Sequence, residues 1–180
     1  MAETAGLPLI NVEIKAHCSD PEPIRKYLQD NGASFKGVDH QVDTYFRVPQ
    51  GRLKLREGWI ENNLIYYRRP DQAGPKTCEY ILHPVDKDSH LKTLLTEAIG
   101  ILIVVDKVRE IYYINNVKFH IDQVNGLGSF MEIEATCHDG TLTRDQLLVQ
   151  CRYYQSQLNI PENELITVSY SDLLLSPASP

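Results

Sequence analysis

The sequence lacks the features that mark a membrane protein or a disulfide-bonded scaffold. Its longest apolar run, Ile99 to Val105, is far shorter than the ~20 residues that span a bilayer. The segment from Met1 to Ile10 has no basic stretch of the kind that begins a secretory signal. The cysteines are widely separated and form no CxxC pair; they are Cys18, Cys78, Cys137 and Cys151. We therefore expect free thiols and a cytoplasmic protein.

Positive charge is also scarce. The chain has 18 Lys and Arg residues against 24 Asp and Glu residues, which gives a formal net charge of −6. Proteins that coat nucleic acid depend on bulk positive charge, so we expect neither a nucleic-acid nor a membrane partner. The 180 residues show no repeat or low-complexity segment and suit one domain over 1–180, with flexible ends at 1–9 and 176–180.

Helix start and stop signals mark three segments, 19–32, 88–100 and 143–160. In the third, Thr143 and Gln146 have the spacing of a capping box. The last part of the chain, 153–180, contains no Lys or Arg. We expect it to pack outside the functional site and not to touch a substrate.

Further runs alternate apolar and polar residues with the period of a strand: 11–16, 51–56, 64–69, 76–82, 106–112, 118–124 and 130–135. Their polar faces are sorted by charge. One run carries Arg52, Lys54 and Arg56, whereas another carries Glu132 and Glu134. A solvated sheet face explains any single strand, but like charges placed side by side cost stability. A cavity for a polyanion and its metal ion explains the set as a whole.

If the sheet closes on itself, these charged faces can line one cavity. The bases are Lys15, Arg52, Lys54, Arg56, Arg68, Lys107 and Arg109, and the acids are Glu13, Glu79, Asp122, Glu132 and Glu134. Arg and Lys bind phosphate oxygens, and carboxylates without neighbouring Cys or patterned His favour Mg²⁺ or Mn²⁺. The sequence thus predicts a di- or triphosphate substrate and a divalent cation.

The order and spacing of these residues resemble the CYTH family, named for class IV adenylyl cyclases and thiamine triphosphatases. The family's ExExK signature is matched by NVEIK at 11–15. Further matches are DTYF at 43–46, GRLKLR at 51–56, YYRRPD at 66–71, KVREIYY at 107–113, KFHIDQVNGLGSFMEIE at 118–134 and SYSDLL at 169–174. The resemblance covers nearly the whole chain and is strongest to class IV cyclases over 118–134. It implies an α+β fold, a closed eight-stranded antiparallel β-barrel that forms a triphosphate tunnel, with helices packed outside.

The resemblance also implies roles for individual residues. The metal-side positions are Glu13, Asp122, Glu132 and Glu134, and the phosphate-binding positions are Lys15, Lys54, Arg56, Arg68, Lys107 and Arg109. We add Arg52 to the phosphate-binding set and assign catalytic roles to Lys15, Arg56 and Lys107. Glu79 matches an acidic position that orients bases. Of the neighbours Arg68 and Arg69, the family pattern favours Arg68 as the tunnel residue.

One residue departs from the family pattern. Asn11 stands where ExExK has its first Glu, and its amide can bind a metal through oxygen but brings no charge. This change predicts a weaker second metal site, a shifted substrate preference, or phosphate binding without turnover.

Three functions follow from the same residues. We favour a cyclase that converts ATP to cyclic AMP and pyrophosphate over a triphosphatase acting on thiamine triphosphate, inorganic triphosphate or a nucleoside triphosphate. A non-catalytic polyphosphate-binding module is the third hypothesis, and Asn11 supports it. The sequence is also compatible with a homodimer.

Overall fold

The computed structural model describes residues 9–137 and 139–176, and these residues form a closed antiparallel barrel with helices around it. The strands are β1 (Leu9–His17), β2 (Ser34–Phe46), β3 (Arg52–Gly58), β4 (Asn63–Arg68), β5 (Lys76–Pro84), β6 (Ile101–Ile114), β7 (Val117–Val124) and β8 (Gly128–Cys137). The α-helices are α1 (Glu22–Asp30), α2 (Leu91–Ile99), α3 (Arg144–Gln157) and α4 (Tyr170–Leu175). The predicted fold class is confirmed. Most of the two predicted flexible ends, 1–8 and 177–180, lies outside the described residues.

The strand order around the barrel is β1-β5-β4-β3-β2-β6-β7-β8, and β8 closes the sheet by pairing with β1. The predicted hairpin between β7 and β8 is present, with Asp122 opposite Phe130 and His120 opposite Glu132. The same alternation places Glu13 opposite Glu134 across β1 and β8. Because side chains of a strand alternate between its faces, the charged residues of these strands point into the barrel.

The larger hydrophobic core lies outside the barrel, and a second cluster that includes Tyr67, Phe130 and Tyr170 lies within it. The outward faces of β1, β7 and β8 contribute Ile14, Phe119 and Ile133, which are fully buried against α1 and α3. Leu28 of α1 and Leu147 of α3 cover them. Burial of apolar surface at this outer layer stabilises the fold by roughly 25 cal/mol per Å².

All three predicted helices form, and Thr143 caps α3 through the predicted capping box. The sequence patterns do not predict β2 or α4. The cysteines are free thiols, as expected. Among the described residues no helix has the length and apolar character needed to cross a membrane.

Candidate active site

A cavity of about 140 Å³ lies inside the barrel. Among the described residues, seven bases line it: Lys15, Lys54, Arg56, Arg69, Lys107, Arg109 and Lys118. Five acids line it as well: Glu13, Asp43, Glu61, Glu132 and Glu134. The barrel therefore brings most of the predicted charged residues together around one space.

The cationic wall is built by β2, β3 and β6 around Asp43. The carboxylate of Asp43 accepts hydrogen bonds from Lys54 Nζ at 2.9 Å, Lys107 Nζ at 2.8 Å, and Arg56 Nε and Nη2 at 2.8 and 3.0 Å. Burial alone would raise the pKa of Asp43, but Arg56, Lys107 and Lys54 hold it well below its usual value. Burial also lowers the pKa of Lys107 to about 7; attraction to Asp43 opposes this change and repulsion from Arg56 adds to it.

A second group of ion pairs surrounds Arg109 on β6. Its guanidinium donates to Asp122 at 2.7 and 2.5 Å and to Glu132 Oε2 at 2.8 Å. Lys15 Nζ lies 2.6 Å from the other oxygen of Glu132. Burial would raise the pKa of Glu132, but Lys15 and Arg109 hold it well below its usual value. Both carboxylates are therefore ionised and already engaged by bases.

The acidic wall is formed by β1 and β8. Glu13 and Glu134 are direct cross-strand partners, and the Asn11 amide donates to Glu134 Oε1 at 2.5 Å. The Oδ1 atom of Asn11 is buried and accepts no hydrogen bond. Two carboxylates and an unused amide oxygen are the hard donors that Mg²⁺ and Mn²⁺ prefer. These residues fit a divalent cation that completes its shell with water or phosphate oxygens, and the described residues hold no cluster of three His, Cys, Asp or Glu that could bind a metal alone.

A third wall is apolar. It consists of inward side chains of β4 and β5, among them Ile65, Tyr67, Cys78 and Tyr80. Ile65, Tyr67 and Cys78 are buried. The cavity therefore presents charged side chains on one set of strands and an uncharged surface on β4 and β5.

The predicted residues Asn11, Glu13, Lys15, Lys54, Arg56, Lys107, Arg109, Glu132 and Glu134 all line the cavity. Asp122 is buried behind Arg109 and is not part of the lining. Arg52 lies at one end of the barrel, where it pairs with Asp71 and Asp172.

Neither Arg52 nor Asp122 lines the cavity as predicted, and two further predicted placements are wrong. Arg68 is exposed and donates to the Tyr66 hydroxyl, whereas the buried side chain of Arg69 points inward and pairs with Glu13. The reason is strand parity, since Ile65 and Tyr67 face the cavity and Arg69 continues their series. Glu79 is exposed for the same reason, because its neighbours Cys78 and Tyr80 take the inward positions of β5.

Several polar residues in and around the cavity are not among those predicted. Asp43 and its neighbours Asp39 and Gln41 alternate along β2, and this inverted pattern of inward polar residues was the available signal. Lys118 and His120 share the parity of Asp122 on β7. Glu61 lies in the turn between β3 and β4, and no periodic pattern marks it.

The expectation that 153–180 avoids the site is wrong as well. Tyr170, at the start of α4, lines the cavity, and its ring centroid lies 3.4 Å from Lys15 Nζ. Its hydroxyl donates to Asp122 at 2.7 Å. The buried Lys76 holds the preceding segment by donating to the carbonyl oxygens of Ile166 and Thr167 at 2.9 and 2.8 Å. This segment reaches the site without a Lys or Arg of its own, because the barrel supplies the bases that bind it.

Comparison with known proteins agrees with this architecture. A protein from Methanocaldococcus jannaschii named "Putative adenylate cyclase" is 28% identical over 176 residues, which is 92% of this chain and 98% of that protein. A structure from Pyrococcus horikoshii superimposes with a TM-score of 0.77 at 23% identity and covers 91% of this chain and 98% of its own. One from Hippeastrum, described as a "putative adenylyl cyclase" with a dominant triphosphatase activity, has a TM-score of 0.59 at 14% identity and covers 92% of this chain and 94% of its own.

The family assignment rests on a direct match between this sequence and a model of the family. The model of the CYTH domain matches residues 9–170, from the first residue of β1 to the first residue of α4. The chain belongs to the CYTH family.

Proposed function

We propose that the barrel binds a triphosphate together with a divalent cation and cleaves one of its phosphoanhydride bonds. The observation that carries this proposal is the cavity itself, in which a cationic wall faces an acidic wall that includes the unused amide oxygen of Asn11. Arginine and lysine side chains held in place before binding stabilise the charge that develops on phosphate oxygens during transfer.

The bases that bind carboxylates in the free protein are placed so that they can bind phosphate oxygens in their stead. Lys54, Arg56 and Lys107 converge on Asp43, and Arg56 also reaches Glu61 at 2.9 Å. A triphosphate has more negative charge than these two carboxylates. It can replace them as the acceptor of hydrogen bonds from the same bases. Lys15 and Arg109 extend the set toward β1.

The metal ion would be held by Glu13, Glu134 and the amide oxygen of Asn11. When bound, it would neutralise phosphate charge and polarise the phosphorus that is attacked. Glu132 and Asp122 are engaged by Arg109, so their part is to orient that base. Asn11 in place of a carboxylate makes the proposed site less negative, which favours weaker metal binding.

The leading reaction is cyclisation of ATP, because the apolar wall of Ile65, Tyr67 and Tyr80 offers an uncharged surface for a nucleobase. The ribose 3′-hydroxyl attacks the α-phosphorus, the bond from that phosphorus to the bridging oxygen breaks, and pyrophosphate leaves with the bonding electrons. In this step Lys107 accepts the hydroxyl proton in its neutral form, since burial lowers its pKa to about 7, and Lys54 and Arg56 bind the phosphate chain.

A triphosphatase is the second candidate, and the small cavity of about 140 Å³ favours it, since a phosphate chain needs less room than a nucleoside. In that reaction water attacks the terminal phosphorus and orthophosphate is released. The same bases and metal ligands serve both reactions.

The test is incubation of the pure protein with ATP, thiamine triphosphate or inorganic triphosphate, each with Mg²⁺, Mn²⁺ or EDTA, followed by chromatographic separation of all products. Cyclic AMP with an equal amount of pyrophosphate supports the cyclase. Orthophosphate release supports the triphosphatase and identifies its substrate. No turnover of any substrate in either metal would refute both enzymatic proposals and leave a binding module.

A further inference from the structure

A second pocket, of about 590 Å³, lies at one end of the barrel, outside the cavity described above. It is formed where the connection between β2 and β3, the end of β4 and the start of α4 meet. Four arginines line it: Arg47, Arg52, Arg68 and Arg69. We refer to it as the outer arginine pocket.

The acids near this pocket neutralise only part of its charge. Asp71 and Asp172 both bind Nη2 of Arg52, at 3.0 and 2.8 Å. Arg68 donates to two neutral groups, the Tyr66 hydroxyl at 2.8 Å and the Gln50 side chain at 3.4 Å. The Arg47 side chain is exposed and has no ion-pair partner among the residues that the structure describes. Arg47 and Arg68 therefore form no ion pair within the described chain, although Glu79 is the cross-strand neighbour of Arg68.

Aromatic rings help to hold the guanidinium groups at the pocket. Arg68 lies over the ring of Tyr66 with its guanidinium carbon 5.6 Å from the centroid, and Arg52 lies 5.9 Å from the centroid of Tyr67. A guanidinium placed against an aromatic face loses less conformational freedom when it binds an anion.

The outer arginine pocket adjoins the cavity but is separate from it. Consecutive residues of α4 form the partition, since Tyr170 lines the cavity whereas Ser171 and Asp172 line the outer pocket. Arg69 lines both spaces: it pairs with Glu13 inside, and its buried Nε has no hydrogen-bond partner. A base with an unused donor thus lies between the two spaces.

We propose that the outer arginine pocket is a second anion-binding site, and that its ligand is an inorganic phosphate chain such as pyrophosphate. Arginine binds phosphate oxygens through two parallel hydrogen bonds, and pyrophosphate is long enough to engage two guanidinium groups at once. This inference goes beyond the proposed function. It requires that an anion binds at the outer arginine pocket, and it does not depend on turnover in the barrel.

The experiment is titration of the protein with pyrophosphate by isothermal calorimetry, in EDTA and at ~150 mM salt so that diffuse surface attraction is screened. We expect two binding sites per chain in the wild type. The double variant Arg47→Gln and Arg68→Gln should bind pyrophosphate at one site only. The matched control Arg144→Gln removes an exposed arginine of α3, remote in sequence from the pocket, and should retain both sites.

A substitution in the cavity tests whether the site that the double variant retains lies inside the barrel. Lys54→Gln removes a base of the cationic wall and should weaken the site that the double variant retains, by about tenfold or more, without affecting the other. The proposal is refuted if the double variant binds pyrophosphate with the wild-type stoichiometry, or if the wild type has one site and Lys54→Gln removes it. Neither result depends on whether the protein turns over a triphosphate.

Discussion

Asn11 determines how negative the proposed metal site is. Its amide donates to Glu134, so the change Asn11→Glu replaces a hydrogen bond with repulsion between two carboxylates beside Glu13. We expect a lower melting temperature than the wild type in EDTA, and a larger increase on addition of Mg²⁺ or Mn²⁺, because a bound cation removes the repulsion. Thermal unfolding with and without each metal checks this. An identical response of both proteins to metal would contradict the assignment of Asn11 to the site.

Glu134 can be tested without a large change in packing. Glu134→Gln keeps the shape of the side chain and removes a charge whose neighbours are Asn11 and the opposing Glu13. If Glu134 binds the metal, turnover should fall by a factor of 100 or more while the melting temperature changes by no more than a few degrees. Glu97→Gln on the exposed face of α2 is the matched control and should retain activity. Full activity of Glu134→Gln would remove Glu134 from the metal site.

At the scale of elements, the turn between β3 and β4 is fixed by one buried carboxylate. Asp39 on β2 accepts the backbone N–H groups of Trp59 at 2.6 Å, Ile60 at 2.9 Å and Glu61 at 3.1 Å. These bonds hold Glu61 where it pairs with Arg56 and Lys118.

The change Asp39→Ala leaves three N–H groups without their acceptor. Hydrogen bonds to a charged group contribute ~1.5–3 kcal/mol each, though not additively, so we expect the free energy of unfolding to fall by about 3 kcal/mol or more. Urea unfolding measures this change. Asp88→Ala, at an exposed position of the loop before α2, should change stability by less than about 0.5 kcal/mol. Equal stabilities of the two variants would show that Asp39 does not fix the turn.

The strands that the sequence predicts bury an apolar face, whereas β2 and α4, which it does not predict, lack this pattern. Strands β1, β7 and β8 carry apolar residues toward the helices and polar ones inward, so a period of two is visible. Strand β2 also alternates, but its inward residues Asp39, Gln41 and Asp43 are fully buried polar groups. Because burial is normally predicted from apolar residues, this pattern does not indicate a strand with a buried face. Helix α4 has six residues, too few for a helical period, and the bases that hold it come from elsewhere in the chain.

The sequence predicts that the charged residues lie in one cavity, but it does not predict how they pair. Family resemblance and strand alternation predict that Lys54, Arg56 and Glu134 line the cavity, and the structure places all three there. The choice between Arg68 and Arg69 depends on where β4 ends, and a shift of one residue reverses the face. The ion pairs of Asp43 depend on three strands at once, which only the closed barrel defines.

The ion pairs inside the barrel also predict how stability depends on pH. The bases of the cavity lower the pKa of Asp43, Glu61, Asp122 and Glu132 against the opposing effect of burial. A carboxyl group with a lowered pKa in the folded state contributes stability that is present above its unfolded pKa of ~4 and is lost as the pH falls through its folded pKa.

Two buried lysines affect stability at higher pH. Burial lowers the pKa values of Lys107 and Lys76 to about 7. Above pH 7 the unfolded chain binds more protons at these lysines than the folded chain does, so their contribution to stability rises with pH toward ~10.

Urea unfolding at pH 3, 5, 7 and 9 tests both effects. We expect a steep loss of stability between pH 5 and pH 3, and a gain between pH 7 and pH 9. The variant Asp43→Asn lacks one of the four carboxylates and should lose less stability between pH 5 and pH 3 than the wild type does, although it is less stable at pH 7 because three bases lose their shared partner. A wild-type protein that is as stable at pH 3 as at pH 5 would contradict the ionised, base-paired interior. Such a result would mean that the bases of the barrel do not lower the pKa of these carboxyl groups, so the ion pairs that we propose a triphosphate to replace would not be present.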